Sequence, residues 1–210
     1  SIPMHFIENA SSYLSTDDGA LPLTIFCEHN LSNLSGAKLI CQLMGVHEEE
    51  FNQSIITFEG ADKRLEPLLL ENDRAFFKDF AHSPSKVKAT TKAIKNQFKN
   101  RKLITLLELH TFSSLNENFI GEYRDTLESA DIKILFYDPS AVEKKGLKNI
   151  SETKIKNAFN DNNLIVFSNS NLLKNFLKEQ EYVNSNLLFM SSGNYASLNL
   201  DEIKDLIKNS

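Results

Sequence analysis

The sequence predicts an α/β protein with a mostly parallel sheet, because short apolar strands alternate with amphipathic helices from about residue 61 to residue 210. Strand and helix in alternation imply right-handed crossovers, which place helices on both faces of such a sheet. We therefore expect one complete Rossmann-like domain over residues 61–210. Residues 1–60 lack this alternation, and we interpret them as the end of a larger domain.

Six segments have the apolar composition of strands. The predicted strands are residues 65–70, 75–80, 103–109, 132–137, 164–167 and 187–190. The first two are close enough in sequence to form a hairpin through residues 71–74. The other strands are far enough apart to need crossover connections, which makes that part of the sheet parallel.

Predicted helices separate most of these strands. One begins at Ser83 and Pro84, a serine cap followed by proline at the first helical position. Its inward side chains are expected to be Val87, Thr91, Ile94 and Phe98. Further helices are predicted over residues 118–129, 151–160, 171–179 and 201–208.

Residues 1–60 contain an apolar β segment at 21–26 and two helical patterns. The first helix is expected to end at Gly45 and to bury one face made of Leu34, Ala37, Cys41 and Met44. The second begins with three glutamates at 48–50, has Phe51, Ile55 and Phe58 on one side, and is expected to end at Gly60. We expect the β segment and the first helix to have no sheet of their own.

Composition and motifs exclude several functions. The net charge is -5 and no face is strongly basic, so no nucleic-acid partner is expected. No apolar run approaches the roughly 18 residues of a membrane span and the start lacks signal-peptide character, so we expect a cytoplasmic protein without a membrane partner. The five histidines show no metal-ligand spacing, and the seven glycines form no GxxxxGK[ST] phosphate loop.

Ligands of open α/β sheets collect at the carboxyl ends of the strands. Four segments that follow predicted strands are polar there: residues 78–84, 108–114, 138–139 and 191–194. The first offers a carboxylate and an imidazole beside a helix start, and the last is a small-residue loop through which a ligand could approach backbone amides. Structural roles are the alternative: Asp79 could cap a helix, His82 could be a half-buried histidine with its partners, and residues 191–194 could be a plain turn.

Three ordered segments resemble motifs of the Mur ligase family. EHNLSNLSGA at 28–37 resembles the HNxxNxxA signature that closes the central ATPase domain. FEGADKRLE at 58–66 is similar to the F-x-G-x-x-[RK]-R-x-E linker into the carboxy-terminal domain. DFAHSP at 79–84 is similar to the DYxHxP element that opens the ligand face of that domain. The resemblance implies a fragment of the central domain over residues 1–60 and the carboxy-terminal Rossmann-like domain over residues 61–210.

Within the family the resemblance is closest to ligases that use UDP-N-acetylmuramate, especially the cell-wall recycling branch that attaches the tripeptide L-alanyl-γ-D-glutamyl-meso-diaminopimelate. One alternative is the branch that adds L-alanine, which usually has a second histidine at the position of Ser83 and a more basic segment at 111–114. The alternative from a different class is a Rossmann-like binding module without catalysis.

The resemblance implies ATP- and Mg²⁺-dependent amide synthesis through an acyl phosphate, with Mg²⁺ bound mostly by an upstream region. Without the phosphate loop, the fragment alone is expected to be inactive. His29 and Asn30 would hold adenine and ribose with support from Asn33, Arg64 would reach the phosphates, and Asp79 would bind the ribose hydroxyls. The acceptor amine would be bordered by His82, Ser83, Thr111 and Ser113, with Arg64 and His82 as the catalytic residues.

Overall fold

The computed structural model describes residues 5–8, 11–25, 28–58, 60 and 65–209. The chain forms two compact units, one of residues 1–62 with residues 96–99 and one of residues 63–95 and 100–210. Over the ranges that the structure describes, every helix is too short or too polar to cross a membrane. Each unit has its own secondary structure and core.

The first unit contains an antiparallel three-stranded sheet, in the order β1 (His5–Glu8), β2 (Ser11–Thr16) and β3 (Gly19–Leu23). Helices α1 (Glu28–Leu43) and α2 (Glu48–Ile55) follow it. The expectation that this region has no sheet of its own is therefore wrong. The overlooked signal is the Asp-Asp-Gly turn at 17–19, where Gly19 adopts φ +125° and closes the β2–β3 hairpin.

Helix α1 buries part of the stripe that its apolar spacing predicts: Leu34 is buried, and Cys41 is partly buried and packs against the same core. Leu31 and Leu34 lie in the core of the first unit, and Lys38 on the same face is buried and pairs with Glu48 at 2.6 Å. The predicted core positions Ala37 and Met44 are exposed instead. Apolar side chains occupy both faces of this helix, so periodicity alone wrongly assigns Ala37 and Met44 to the buried face. Large exposed apolar side chains on α1 are Leu39, Ile40 and Leu43, and Met44 directly follows the helix.

The second unit is built on a six-stranded sheet of order β4-β5-β9-β6-β7-β8. Its strands are β4 (Glu66–Leu70), β5 (Arg74–Asp79), β6 (Lys102–Leu109), β7 (Ile132–Tyr137), β8 (Ile165–Phe167) and β9 (Ser185–Met190). Strand β4 is antiparallel to β5, and the remaining neighbours pair in parallel. The predicted α/β class, mostly parallel sheet and opening hairpin are confirmed.

Five helices of the second unit are α3 (Pro84–Gln97), α4 (Pro139–Lys144), α5 (Glu152–Phe159), α6 (Ser170–Lys178) and α7 (Leu200–Lys208). The helix predicted over residues 118–129 is wrong. The chain there forms only a 3-10 turn at Ile120–Tyr123, and Asp125 adopts a left-handed φ of 56° that ends helical geometry. Helix α4 was not predicted, although Asp138 caps it and Pro139 occupies its first position.

Two apolar layers cover the sheet of the second unit. On one face Phe76, Ile104 and Phe189 pack with Leu173 of α6 and Ile203 of α7. On the side of α3, the predicted inward residues Val87, Thr91 and Ile94 are buried, and Thr91 contacts Met190 of β9 at 3.8 Å. Phe98, also predicted to point inward, is buried and belongs to the first unit. The strands are thus covered along their length, and polar side chains gather where the strands end.

Candidate functional site

Three parallel strands end side by side at the polar edge of the sheet. Met190 of β9 is in register with Asp79 of β5 on one side and with Leu107 of β6 on the other. The segments that follow these strands therefore meet at one edge, as open parallel sheets require. This edge of the sheet is the candidate site.

Asp79 connects three segments of backbone at this edge. Its side chain is 8% exposed; Oδ2 accepts from Leu65 N at 2.8 Å and Oδ1 accepts from Ala81 N at 2.5 Å. Its main-chain carbonyl accepts from Ser191 N at 3.1 Å. Asp79 is therefore a local cap for its own loop and also a remote anchor for the start of the second unit. Its predicted contact with ribose stays a prediction, and would have to use the remaining lone pairs.

His82 is oriented through both its ring and its backbone. The ring Nδ1 lies 2.8 Å from the carbonyl oxygen of Phe80, and since a carbonyl only accepts, Nδ1 carries the proton. In the neutral ring Nε2 is then an acceptor. The ring packs edge-on against Phe80 at 5.0 Å, and the hydroxyl of Tyr123 donates to the His82 carbonyl. A half-buried imidazole with a fixed tautomer can accept a proton at Nε2.

Tyr123 joins two polar loops, and sequence reasoning missed it because it lies in the segment wrongly predicted as a helix. Its ring is buried and stacks on Phe159 at 5.4 Å. Burial raises the pKa of Tyr123 to about 12, against a smaller opposing effect of a hydrogen bond with Ser114. The hydroxyl thus stays protonated and links the His82 backbone to the loop after β6.

The loop after β6 presents a cluster of neutral hydroxyls. Thr111 Oγ1 accepts from Ser114 N at 3.1 Å and lies 2.9 Å from Ser114 Oγ and 3.2 Å from Ser113 Oγ. Ser113 is exposed and Thr111 is half-buried. The predicted pair Thr111 and Ser113 is therefore in contact, and it offers donors and acceptors without charge.

A buried carboxylate organises the loop after β9. Glu108, 3% exposed at the end of β6, accepts through Oε2 from the hydroxyl of Ser191 and from Tyr195 N at 2.9 Å. Its Oε1 lies 3.9 Å from Nδ1 of His110, whose side chain is 40% exposed. A buried carboxylate requires such donors. Glu108 was not predicted as a site residue, although its place after a buried strand is a usable signal.

Gly193 packs directly against this carboxylate. A Cβ atom at this position would lie 2.7 Å from Glu108 Oε2 and 2.7 Å from Cγ of His110. The Gly193 N–H donates to Ser191 Oγ at 2.7 Å. The interpretation of residues 191–194 as a loop open to a ligand is wrong at Gly193, because protein atoms already fill the space and bind the amide.

The remaining predicted residues lie outside this edge. Asn30 and the exposed Asn33 are in the first turns of α1, in the first unit. His29 is helical, but its side chain and all of Arg64 lie outside the described residues. Ser83 is half-buried, and its carbonyl accepts from Val87 N at 2.9 Å where α3 begins. The edge thus unites Asp79, His82, Ser83, Thr111 and Ser113.

The side chains that the structure describes contain no cluster of three or more His, Cys, Asp or Glu that could hold an ion. The candidate edge therefore offers one oriented imidazole, neutral hydroxyls and two carboxylates already bonded to backbone and hydroxyl donors.

Known proteins resemble this chain in sequence and in fold. No protein-family model matches it. UDP-N-acetylmuramate–L-alanine ligase of a Sulfurihydrogenibium species is 29% identical over 184 residues, which are 84% of this chain and 40% of that protein. The chain thus spans about 40% of the length of the curated relatives that it matches first.

Two solved structures show the same fold. UDP-N-acetylmuramate–alanine ligase of Thermotoga maritima matches with TM-score 0.69 and 13% identity, over 99% of this chain and 44% of that one. A murein peptide ligase of Psychrobacter arcticus matches with TM-score 0.58 and 18% identity, over 96% and 43%. The chain is thus an α/β protein with a mainly parallel sheet, similar to Mur ligase carboxy-terminal domains. Its sequence relatives and these two structural neighbours are all described as ligases of this kind.

Proposed function

We propose that this chain is the acceptor-facing, carboxy-terminal part of an ATP-dependent ligase that joins UDP-N-acetylmuramate to an amine. The observation that carries the proposal is the oriented His82 at the sheet edge, within the motif at 79–84. The motifs at 28–37 and 58–66 and the names of the relatives support it. In this proposal, residues 1–60 close the central ATPase domain and residues 61–210 form the carboxy-terminal domain.

The proposed reaction forms an amide through an acyl phosphate. The muramoyl carboxylate takes a phosphoryl group from ATP, the amine nitrogen attacks the carbonyl carbon, and the C–O bond to phosphate breaks. An amine attacks only as the free base, so the proton of the ammonium form must go to an acceptor. Nε2 of His82 is such an acceptor in the tautomer that Phe80 selects. We assign this proton transfer to His82.

The nucleotide would be bound by residues of the first unit and of the junction. His29 and Asn30 would contact adenine and ribose, with Asn33 supporting that segment, and Arg64 would meet the phosphates. The amide groups of Asn30 and Asn33 fit this role, because an amide both donates and accepts hydrogen bonds. Bound Mg²⁺ offsets the charge repulsion between nucleotide and carboxylate, and we assign its ligands to the upstream part of such a ligase.

The acceptor that we propose is the tripeptide L-alanyl-γ-D-glutamyl-meso-diaminopimelate. The neutral cluster of Thr111, Ser113 and Ser114 supports it, because the carboxylate of free L-alanine, one atom from its amine, would be expected to need a cation there. Ser83 in place of a second histidine supports it as well. L-alanine is the second candidate, favoured by the names of the sequence relatives.

The test is ADP release by the complete ligase with UDP-N-acetylmuramate, Mg²⁺-ATP and either acceptor. We expect turnover with the tripeptide and none with L-alanine, and no ATP turnover by the 210-residue chain alone. Turnover with L-alanine only would move the protein to the L-alanine-adding branch. Silence with both acceptors would refute the ligase proposal in favour of a binding module.

A further inference from the structure

The carboxylate of Asp79 holds two segments of backbone, a role separate from nucleotide binding. Its carboxylate binds one amide fourteen residues earlier, at Leu65, and one amide two residues later, at Ala81. Both bonds are short, and the side chain is nearly buried. A buried carboxylate with two backbone donors is a strong, geometrically defined anchor.

The backbone that Asp79 holds at Leu65 is sterically unfavourable. Leu65 is 3% exposed and has a φ of 47°, in the left-handed region that residues with a side chain seldom adopt. Without an acceptor, the N–H of this buried residue would be left unsatisfied. The bond to Asp79 therefore maintains a conformation that the chain would otherwise avoid.

The two amides stand beside two residues of the proposed site. Leu65 directly follows Arg64, and Ala81 directly precedes His82. We propose that Asp79 is a positioning residue: its carboxylate holds the backbone next to Arg64 and the backbone next to His82 in one fixed relation. This inference rests on the proposed function, since Arg64 and His82 take their roles from it.

The same residue extends the anchor to a third segment. The main-chain carbonyl of Asp79 accepts from Ser191 N, and the hydroxyl of Ser191 donates to Glu108. A continuous series of hydrogen bonds thus runs from Leu65 through Asp79 and Ser191 to the central strand β6. The backbone at Leu65 is thereby fixed to the buried centre of the sheet.

The inference is tested first on the 210-residue chain by amide hydrogen exchange with Asp79→Asn. Asparagine has one acceptor oxygen, so one of the two amides must face an NH₂ group. Asp138→Asn is the matched control, because the side chain of Asp138, directly after β7, accepts from the neighbouring Ser140, through the backbone N–H at 2.9 Å and the hydroxyl at 2.8 Å. We expect exchange at Leu65 to accelerate at least about tenfold in Asp79→Asn and to stay within about twofold in Asp138→Asn.

Unchanged exchange at Leu65 in Asp79→Asn would overturn the inference. If that variant does not fold, exchange is measured on the wild-type protein alone. The Leu65 amide must then exchange far more slowly than an amide of an unstructured peptide, and exchange at the unstructured rate would overturn the inference. These readings do not depend on catalysis, so they remain valid even if the ligase proposal fails.

The second test uses the kinetics of the complete ligase. A positioning role predicts that Asp79→Asn lowers kcat at least about tenfold, while KM for ATP stays within about twofold. A raised KM for ATP at unchanged kcat would overturn the inference in favour of a ribose contact. Wild-type ligase without any ATP turnover would instead refute the proposed function and leave the exchange result standing.

Discussion

Replacement of Gly193 by alanine tests the packing at the candidate edge most directly. The added methyl carbon would lie 2.7 Å from both Glu108 Oε2 and Cγ of His110. His110 is partly exposed and can turn away, but Glu108 is buried and held by Ser191 and Tyr195. The clash must therefore be relieved by moving a bonded carboxylate or the loop itself.

Overpacking of this kind lowers the free energy of unfolding by about 1–3 kcal/mol. Because the Glu108 carboxylate is held in place, we expect Gly193→Ala to lower it by about 2 kcal/mol or more. The effect is steric, since Gly193 is not among the glycines with a left-handed φ. Gly121→Ala is the control: it is in the same unit, has an ordinary φ, and its Cβ would meet nothing within 4 Å. We expect it to change the unfolding free energy by no more than about 0.5 kcal/mol.

The measurement is urea unfolding followed by circular dichroism, because the chain has no tryptophan. Gly193→Ala should lower the midpoint of the second unit, and Gly121→Ala should not. Adding His110→Ala should not restore the midpoint, because the contact with Glu108 remains. Equal midpoints for Gly193→Ala and wild type would refute the reasoning.

Three further predictions concern stability. Glu108→Ala should lower the unfolding free energy by about 2 kcal/mol or more, because buried donors lose a charged acceptor; the exposed Glu117→Ala should change it little in the same urea titration, and equal effects would contradict the network. Gly36→Ala, in the interior of α1 with open space around its Cβ, should stabilise the first unit by about 0.5–1 kcal/mol; a lower thermal midpoint would contradict this. Burial raises the pKa of Tyr123 from 10.0 to about 12, so its contribution to stability is full below pH 10 and is lost as pH rises from 10 to 12. Urea titrations at several pH values across that range should therefore show that the unfolding free energy falls less steeply with pH in Tyr123→Phe than in wild type. Equal slopes in the two proteins would argue against the raised pKa of Tyr123.

Much of the second unit follows from its sequence, because its signals are local. Each of its six strands contains a short run of apolar residues, and such a run can be recognised without knowledge of remote partners. The helix prediction at 118–129 is wrong for the opposite reason. The composition of this segment suits a helix, but the buried Tyr123 is held by contacts with Phe159 and the His82 backbone. Tertiary contacts of this kind override local propensity.

The candidate site was predictable in its residues but not in its connections. The motif at 79–84 identified Asp79 and His82, yet the remote bond from Leu65 to Asp79 has no sequence signal. Glu108 and Gly193 are likewise 85 residues apart in the sequence, so no local sequence pattern reveals that they pack together. The nucleotide-binding role of His29 and Arg64 stays a prediction.

The sheet order has a consequence for how the protein is made on the ribosome. Strand β9 lies between β5 and β6, yet it is the last strand in the sequence. Until residues 185–190 have been synthesised, the β4–β5 hairpin and the β6–β7–β8 group cannot pair with one another, and each exposes an apolar edge. Pairing over such sequence separation is slow, so the nascent chain passes through an intermediate prone to aggregation, and chaperone binding during this interval would be expected to affect the yield of folded protein.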